Sequence, residues 1–190
     1  ASIDSVNTVE EIVKEENINC GFARTGHLLA ANKPKHYDAL KDEVDFMAKE
    51  FNHQVHLVSP KDLQSEIGSN VYHGALVDDV SAGLNPAQFV AGLAGAAEKA
   101  GAILCAKARM TKIQRSQNRF SIETERGSLT AESVFVATSG YTGNVTKNLQ
   151  RKIIPIGSFI IATEKLSDEL AHELSPKNRM IFDYKHYLNY

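Results

Sequence analysis

Apolar residues recur along this chain with two periods, and the change from one to the other predicts its elements. From Lys33 to Phe51, Tyr37, Leu40, Val44, Met47 and Phe51 step by three or four, with Lys41, Asp42, Asp45, Lys49 and Glu50 between them, the pattern of an amphipathic helix covering a sheet. Asn85 is a good N-cap, Pro86 suits the first helical position, and Phe89, Val90, Leu93, Ala94 and Ala97 share one face until Gly101 stops the helix. Thr8-Val9-Glu10-Glu11 has capping-box spacing ahead of a short acidic helix with Val9, Ile12 and Val13 in its stripe, while residues 1–7 read as a disordered lead-in or the tail of an upstream element. Shorter helical pieces are expected at Leu63–Ile67, closed by Gly68, at Asn144–Leu149, and at Ser167–Leu174 with Ser167 as cap.

The strand period yields a longer set of segments. Asn19–Phe22 and Gly26–Ala31 flank a turn at Arg24-Thr25-Gly26, and Gln54–Val58 and Val71–Val77 follow. Ala102–Ala106 and Ser133–Gly140 are apolar runs that read as buried strands. Between them, Met110–Gln114, Arg119–Glu125 and Ser128–Ala131 form a three-stranded antiparallel excursion, turning at Gln117-Asn118 and Arg126-Gly127. Ile153–Thr163 is one long apolar strand, bent or at an edge where Pro155 and Gly157 interrupt it. Met180–Phe182 and Tyr187–Tyr190 suggest a terminal hairpin.

From Leu84 to Gly143 the order is helix, buried strand, meander, buried strand, small-residue turn. Two buried strands around a helix imply a parallel sheet with a crossover, and the closing turn lies at a strand's carboxyl end, where open α/β sheets place ligands. The fold class is mixed, between α+β and α/β. It joins a mixed sheet with covering helices to a layered unit carrying the antiparallel meander.

The segments LNPAQFVAGLAGAAEKAGA, VFVATSGYTG and PIGSFIIATEKL resemble the FAD-dependent D-amino-acid oxidase-like (DAO) oxidoreductases, most of all bacterial amino-acid dehydrogenases and gamma-glutamylputrescine oxidases. The likeness covers about Glu15 to Tyr190. Members of that family begin with a strand–GxGxxG–helix unit holding the FAD pyrophosphate, and no G-x-G-x-x-G occurs in this chain. The resemblance therefore implies an internal fragment, lacking the Gly-rich amino end and the carboxyl end. It also implies a division in which residues 1–19 and 81–150 belong to the FAD-binding domain and residues 20–80 and 151–190 to the substrate domain.

The resemblance supplies site residues. Met110 would offer backbone N–H and C=O to the adenine. Ala137, Thr138 and Gly140 match an A-T-x-G segment that passes beside the pyrophosphate and ribose, where small residues permit close backbone approach. Tyr190 fits the place of a tyrosine lining the substrate cavity, in a cluster with Tyr184 and Tyr187 and near Arg179, Lys185 and His186, and the family's matching arginine would fall beyond the chain's end. Arg24 and His27 in the early hairpin are further candidates for cavity lining. No catalytic acid or base is assigned. The implied activity is oxidation of an amine or amino acid at a C–N bond, with FAD as cofactor and hydride acceptor, and the chain by itself is expected to be inactive.

Composition narrows the alternatives. A net charge of -2 over 190 residues gives no electrostatic case for nucleic acid. No apolar run reaches the roughly 18 residues of a membrane helix, and residues 1–20 carry acids and lack a signal-peptide core, so the cytoplasm is the expected compartment. Cys20 and Cys105 lie far apart in apolar runs and read as buried reduced thiols. His53 and His56 are three apart at a helix-to-strand junction, without H-E-x-x-H or nearby cysteine, so no metal is expected. Ser139 lacks a G-x-S-x-G context, which argues against acyl transfer. The competing reading is a non-enzymatic α/β ligand-binding or interaction domain; an NAD-linked dehydrogenase fits the helix–meander–strand order less well. Uncovered edges and apolar patches are expected to invite self-association.

Overall fold

The computed structural model describes residues 2–185, which form two compact units, 2–101 with 163–185, and 102–162. The first is built on a four-stranded mixed sheet. In chain order its elements are α1 (Ser2–Glu15), β1 (His27–Ala30), α2 (Pro34–Phe51), β2 (His56–Val58), a 3₁₀ turn at Leu63–Ser65, β3 (Ala75–Asp78) and α3 (Pro86–Lys99). The second unit contributes β4 (Met110–Ser116), β5 (Arg119–Thr124), β6 (Gly127–Ala131), short 3₁₀ turns at Ser139–Tyr141 and Asn144–Thr146, and α4 (Lys147–Gln150). The chain then returns to the first unit with α5 (Asp168–Leu174) and β7 (Met180–Asp183).

The four-stranded sheet runs β2-β3-β1-β7, antiparallel except for the β1–β7 pair. Side chains alternate across it as the pleat requires. Leu28, Ala30, Val58, Ala75 and Val77 face one way and pack with Leu63 and Ile67. Leu29, Leu57 and Leu76 face the other way, against Tyr37, Leu40, Val44 and Met47 of α2. Four of the five stripe residues of α2 thus do what their spacing predicts; the fifth, Phe51, is 63% exposed and meets Phe46 edge-on at 5.5 Å. The helix stops because Asn52 takes a left-handed φ of 49°, which aims its N–H back at the Met47 carbonyl.

Several expectations hold in detail. Asn85 caps α3 by accepting from the N–H groups of Ala87 and Gln88, both at 3.1 Å. Ser167 caps α5 through Leu170 N–H. The meander forms in the order β4-β5-β6, with the Gln117-Asn118 turn and a register shift between Met110 and Lys112. Cys20 is buried.

Others are corrected. Residues 2–7 are helical: α1 starts well before Thr8, whose hydroxyl donates to Asp4 O instead of capping. Asn19–Phe22 is not a strand; the only pairing there is a bridge from Ala23 to Gly83. Gln54–Val58, Leu63–Ile67 and Val71–Val77 shorten to His56–Val58, Leu63–Ser65 and Ala75–Asp78. Met180–Phe182 does not open a hairpin within the described residues but pairs parallel with β1, and Tyr187–Tyr190 lies outside them. Ala102–Ala106, Ser133–Gly140 and Ile153–Thr163 form no strands, so the parallel sheet with a crossover is absent, and Cys105 is exposed. In those runs Phe135, Phe159 and Ile161 are 93%, 92% and 96% exposed. An apolar run specifies that burial is needed, not what buries it; no strand pairs with these segments among the described residues.

Leu28 is fully buried at the centre of one core cluster. Leu28→Ala is expected to cost about 3 kcal/mol, the usual range for opening a cavity at such a position. Phe159→Ala, by contrast, should stay within about 0.5 kcal/mol of wild type. Urea unfolding followed by circular dichroism measures both, since the chain has no tryptophan to report.

Candidate functional site

Two regions gather the residues singled out by sequence, one in each unit. In the second unit, the 3₁₀ turn after Thr138 is held by its own polar groups. Tyr141 N–H donates to Thr138 O at 2.9 Å, and the Thr142 hydroxyl donates to Ser139 O at 2.7 Å. The Thr138 and Thr142 hydroxyls lie 2.6 Å apart; with Thr142's proton already committed, Thr138 is the donor between them. Ser139 adopts φ 44°, in the left-handed region. Ala137, Thr138 and Gly140 are exposed, and a Cβ on Gly140 would meet nothing within 4 Å. The turn therefore leaves its backbone open to a large group.

Met110 presents its backbone too. It begins β4, an edge strand of the meander, opposite Thr124. The neighbouring pair is joined by Glu125 N–H donating to Arg109 O at 3.1 Å. Hydrogen-bonded and non-bonded pairs alternate along antiparallel strands, so Met110 falls in a non-bonded pair and its N–H and C=O point away from β5. These features leave main-chain groups open to a flat polar group or a sugar approaching along the backbone. The row of N–H groups at a Gly-rich helix start that a pyrophosphate requires has no G-x-G-x-x-G to build it here.

In the first unit, His27 lies where β1 opens, across from Asp78 at the end of β3. Its Nδ1 is 2.7 Å from Ser81 Oγ and 4.0 Å from Asp78 Oδ2. The same nitrogen faces both groups, so the ring cannot relay a proton from the serine through opposite nitrogens as a hydrolase triad does. Burial pushes the His27 imidazole below its ordinary value, although Asp78 pulls it up. His53 Nε2 donates to Asp78 Oδ2 at 3.0 Å, and Asp78 Oδ1 accepts from Val80 N–H at 2.8 Å. These groups floor a cavity of about 710 Å³ walled by Ile3, Val6, Met47 and Phe51. Sequence reading found His27 but weighed His53 only with His56, which turns elsewhere, its Nδ1 3.4 Å from Asp79. The available signal was the Asp78-Asp79 pair closing a strand.

Arg24 is taken up by α1: its Nε donates to Glu10 and its Nη2 to the Asn7 side chain, at 2.6 and 2.7 Å. Tyr190, Tyr187 and His186 lie outside the described residues. Tyr184 stacks on His36 at 4.8 Å beside a separate cavity of about 950 Å³ that Asn32, Tyr72 and Lys185 also line. Arg179 occupies the most buried ion pair. Its Nε donates to Glu66 Oε2 at 2.8 Å and its Nη1 to Thr25 O at 2.8 Å, with Asp79 Oδ1 2.7 Å from Nη1. Lys177 Nζ reaches the other Glu66 oxygen at 2.6 Å. Burial alone would raise the Glu66 carboxyl; the hydrogen bonds from Lys177 and Arg179 outweigh it and hold the group below its ordinary value.

Comparison with known proteins gives these regions a context. Residues 1–189 match the family described as DAO, FAD dependent oxidoreductase. The gamma-glutamylputrescine oxidoreductase of Escherichia coli K12 is 30% identical over 183 residues, 96% of this chain and 42% of that protein. The chain thus spans less than half the length of that curated relative. Among solved structures, glycine oxidase from Geobacillus kaustophilus superposes with a TM-score of 0.66 at 19% identity, over 75% of this chain and 39% of that one. L-proline dehydrogenase from P. horikoshii gives 0.67 at 15% identity, over 94% of this chain and 49% of its own. At such identities the superpositions speak for the fold.

The lowered Glu66 carboxyl makes stability depend on pH. Its contribution is complete above the ordinary carboxylate value of 4.5 and is lost as pH falls through the lower native value. Glu66→Gln should flatten the loss of stability between neutral and strongly acidic pH. At neutral pH it should cost about 2 kcal/mol, because Lys177 and Arg179 lose their charged acceptor while Asp79 still faces Arg179. Urea midpoints across that pH range check both.

Proposed function

We propose, from the premise that this chain belongs to the DAO family of FAD-dependent oxidoreductases, that the protein carrying it oxidises an amine or amino acid at a C–N bond. The observation that carries the reading is the family match over residues 1–189, together with 30% identity to an enzyme named for a gamma-glutamylated amine. Within this reading residues 1–19 and 81–150 contribute to FAD binding and residues 20–80 and 151–190 to the substrate side.

Bound FAD would take a hydride equivalent from the carbon beside nitrogen. The chain's own part is positioning. The outward N–H and C=O of Met110 suit the adenine edge, and the open backbone at Ala137, Thr138 and Gly140 suits the ribose and phosphates. Tyr190, His27 and Arg24 stand as substrate-lining candidates, Arg24 with its guanidinium already paired to Glu10. The meander's free edge and the uncluttered turn support the cofactor roles.

Absorbance in the flavin bands tests the proposal. The 190-residue chain should purify colourless and take up added FAD poorly, because its sequence contains no G-x-G-x-x-G unit to hold the pyrophosphate at a helix start. A longer polypeptide that also carries a strand–Gly-rich turn–helix unit should be yellow and bleach with an amine or amino acid. A long form that refuses FAD would overturn the activity, and a stoichiometrically yellow short chain would overturn the pyrophosphate argument. In the long form, Gly140→Val should leave stability unchanged, since a Cβ finds open space there, yet weaken FAD at least about tenfold by blocking approach to the backbone.

A further inference from the structure

Four carboxylates are buried or half-buried among the described residues, and three are met by a Lys or Arg. Glu10 has Arg24 at 2.6 Å, Glu66 has Arg179 and Lys177, and Asp183 has Lys185 at 2.9 Å. Asp78 is the exception. The cationic side chains within 4.0 Å of it are imidazoles, His53 at 3.0 Å and His27 at 4.0 Å. His27 is biased toward its neutral form by burial. The nearby guanidinium of Arg179 is spent on Glu66 and Asp79.

The space in front of Asp78 is mixed, with apolar walls beside Ser2, Asp4, His27, His53 and Ser81. Met47 and Phe51 of α2, Ile3 and Val6 of α1, and Val80 wall the cavity of about 710 Å³ above it. Phe51 and Ile3 are 63% and 41% exposed, although both are large and apolar. Phe51 is the stripe residue of α2 that the sheet does not cover. A half-buried negative charge without a strong counter-ion, under apolar walls, suits a ligand with a cationic head and a short hydrocarbon arm. An anion is disfavoured, since no Lys or Arg among the described residues lines the cavity and Asp4 is part of its lining. A metal is disfavoured as well: the described residues hold no group of three His, Cys, Asp or Glu placed to bind one.

We propose that this cavity binds a short aliphatic ammonium ion, its head on Asp78 Oδ2 and its alkyl arm between Met47, Phe51 and Val80. The site goes beyond the oxidation proposed above and needs no flavin.

The test is a titration of the 190-residue chain with n-butylammonium chloride at neutral pH and low salt, read from the ring-proton resonances of His27 and His53. Saturable shifts of both rings are expected, with n-butanol and sodium butyrate leaving them in place. Asp78→Asn should weaken binding at least about tenfold through loss of the charged acceptor. Should that variant unfold, Phe51→Ala decides: it removes an exposed rim residue and should weaken binding about threefold or more. Ring shifts no larger than sodium chloride produces, equal binding of butyrate, or an unchanged affinity in Phe51→Ala would each overturn the proposal. No flavin takes part, so such a failure would leave the oxidation reading standing.

Discussion

The side chain of Arg179 ties the latest described strand to the earliest. It immediately precedes β7, and its guanidinium reaches Glu66 beside the 3₁₀ turn, the Thr25 carbonyl before β1, and Asp79 after β3. β7 joins β1 from the far end of the unit, and closing so long a loop is entropically costly however the strand seats itself. Hydrophobic contacts alone do not choose among the seatings. A slip of one residue along β1 would carry Arg179 to the other face of the sheet and leave Glu66, 2% exposed, without its more buried partner. A buried charge stripped of its partner costs far more than the intact pair gains. The pair therefore acts mainly by excluding wrong registers. Gly26 is part of the same arrangement: at φ 74° it lies so close to the Arg179 guanidinium and the Asp78 carbonyl that a Cβ would collide with both.

What was legible in the sequence follows from how local each signal is. Helix α3 was readable because its cap, its proline and its stripe lie within a few residues of one another, and α5 because Ser167 sits one residue ahead of its acids. The meander was readable from two-residue turns between short alternating runs. Ala102–Ala106, Ser133–Gly140 and Ile153–Thr163 misled for a physical reason. Their composition states that they are suited to burial, and a strand exists only where a second strand accepts its hydrogen bonds. The same logic explains Cys105, expected inside because its neighbours are apolar and found exposed with them.

The candidate sites divide along similar lines. The roles proposed for Met110 and for the turn at residues 137–140 would rest on backbone groups, which leave almost no trace in residue identity beyond small size, so a resemblance to a family was needed to single them out. The free edge of β4 gave that resemblance a physical footing: the alternation of bonded and non-bonded pairs leaves Met110 with both main-chain groups outward. Asp78 had the opposite difficulty. Its chemistry is carried by side chains, but its partners come from positions 27, 53 and 80, on separate elements, and no spacing rule joins them.

The exposed end of α2 and the position of Asp78 are two consequences of one geometry. The helix is a turn longer than the sheet it covers, because its stripe continues to Phe51 while the sheet's contacts with it end at Met47. Asn52 then reverses the backbone, and His53 meets Asp78 at the end of β3. An overhanging aromatic ring and a carboxylate at the strand's end are thereby brought to one rim, with the first turns of α1 opposite. In a purely structural arrangement the overhang would be trimmed or polar, and the acid would be given a lysine or arginine, as the other buried acids of this unit are. Neither holds at Asp78, and these two departures together are the ground on which an ammonium site is proposed at this rim.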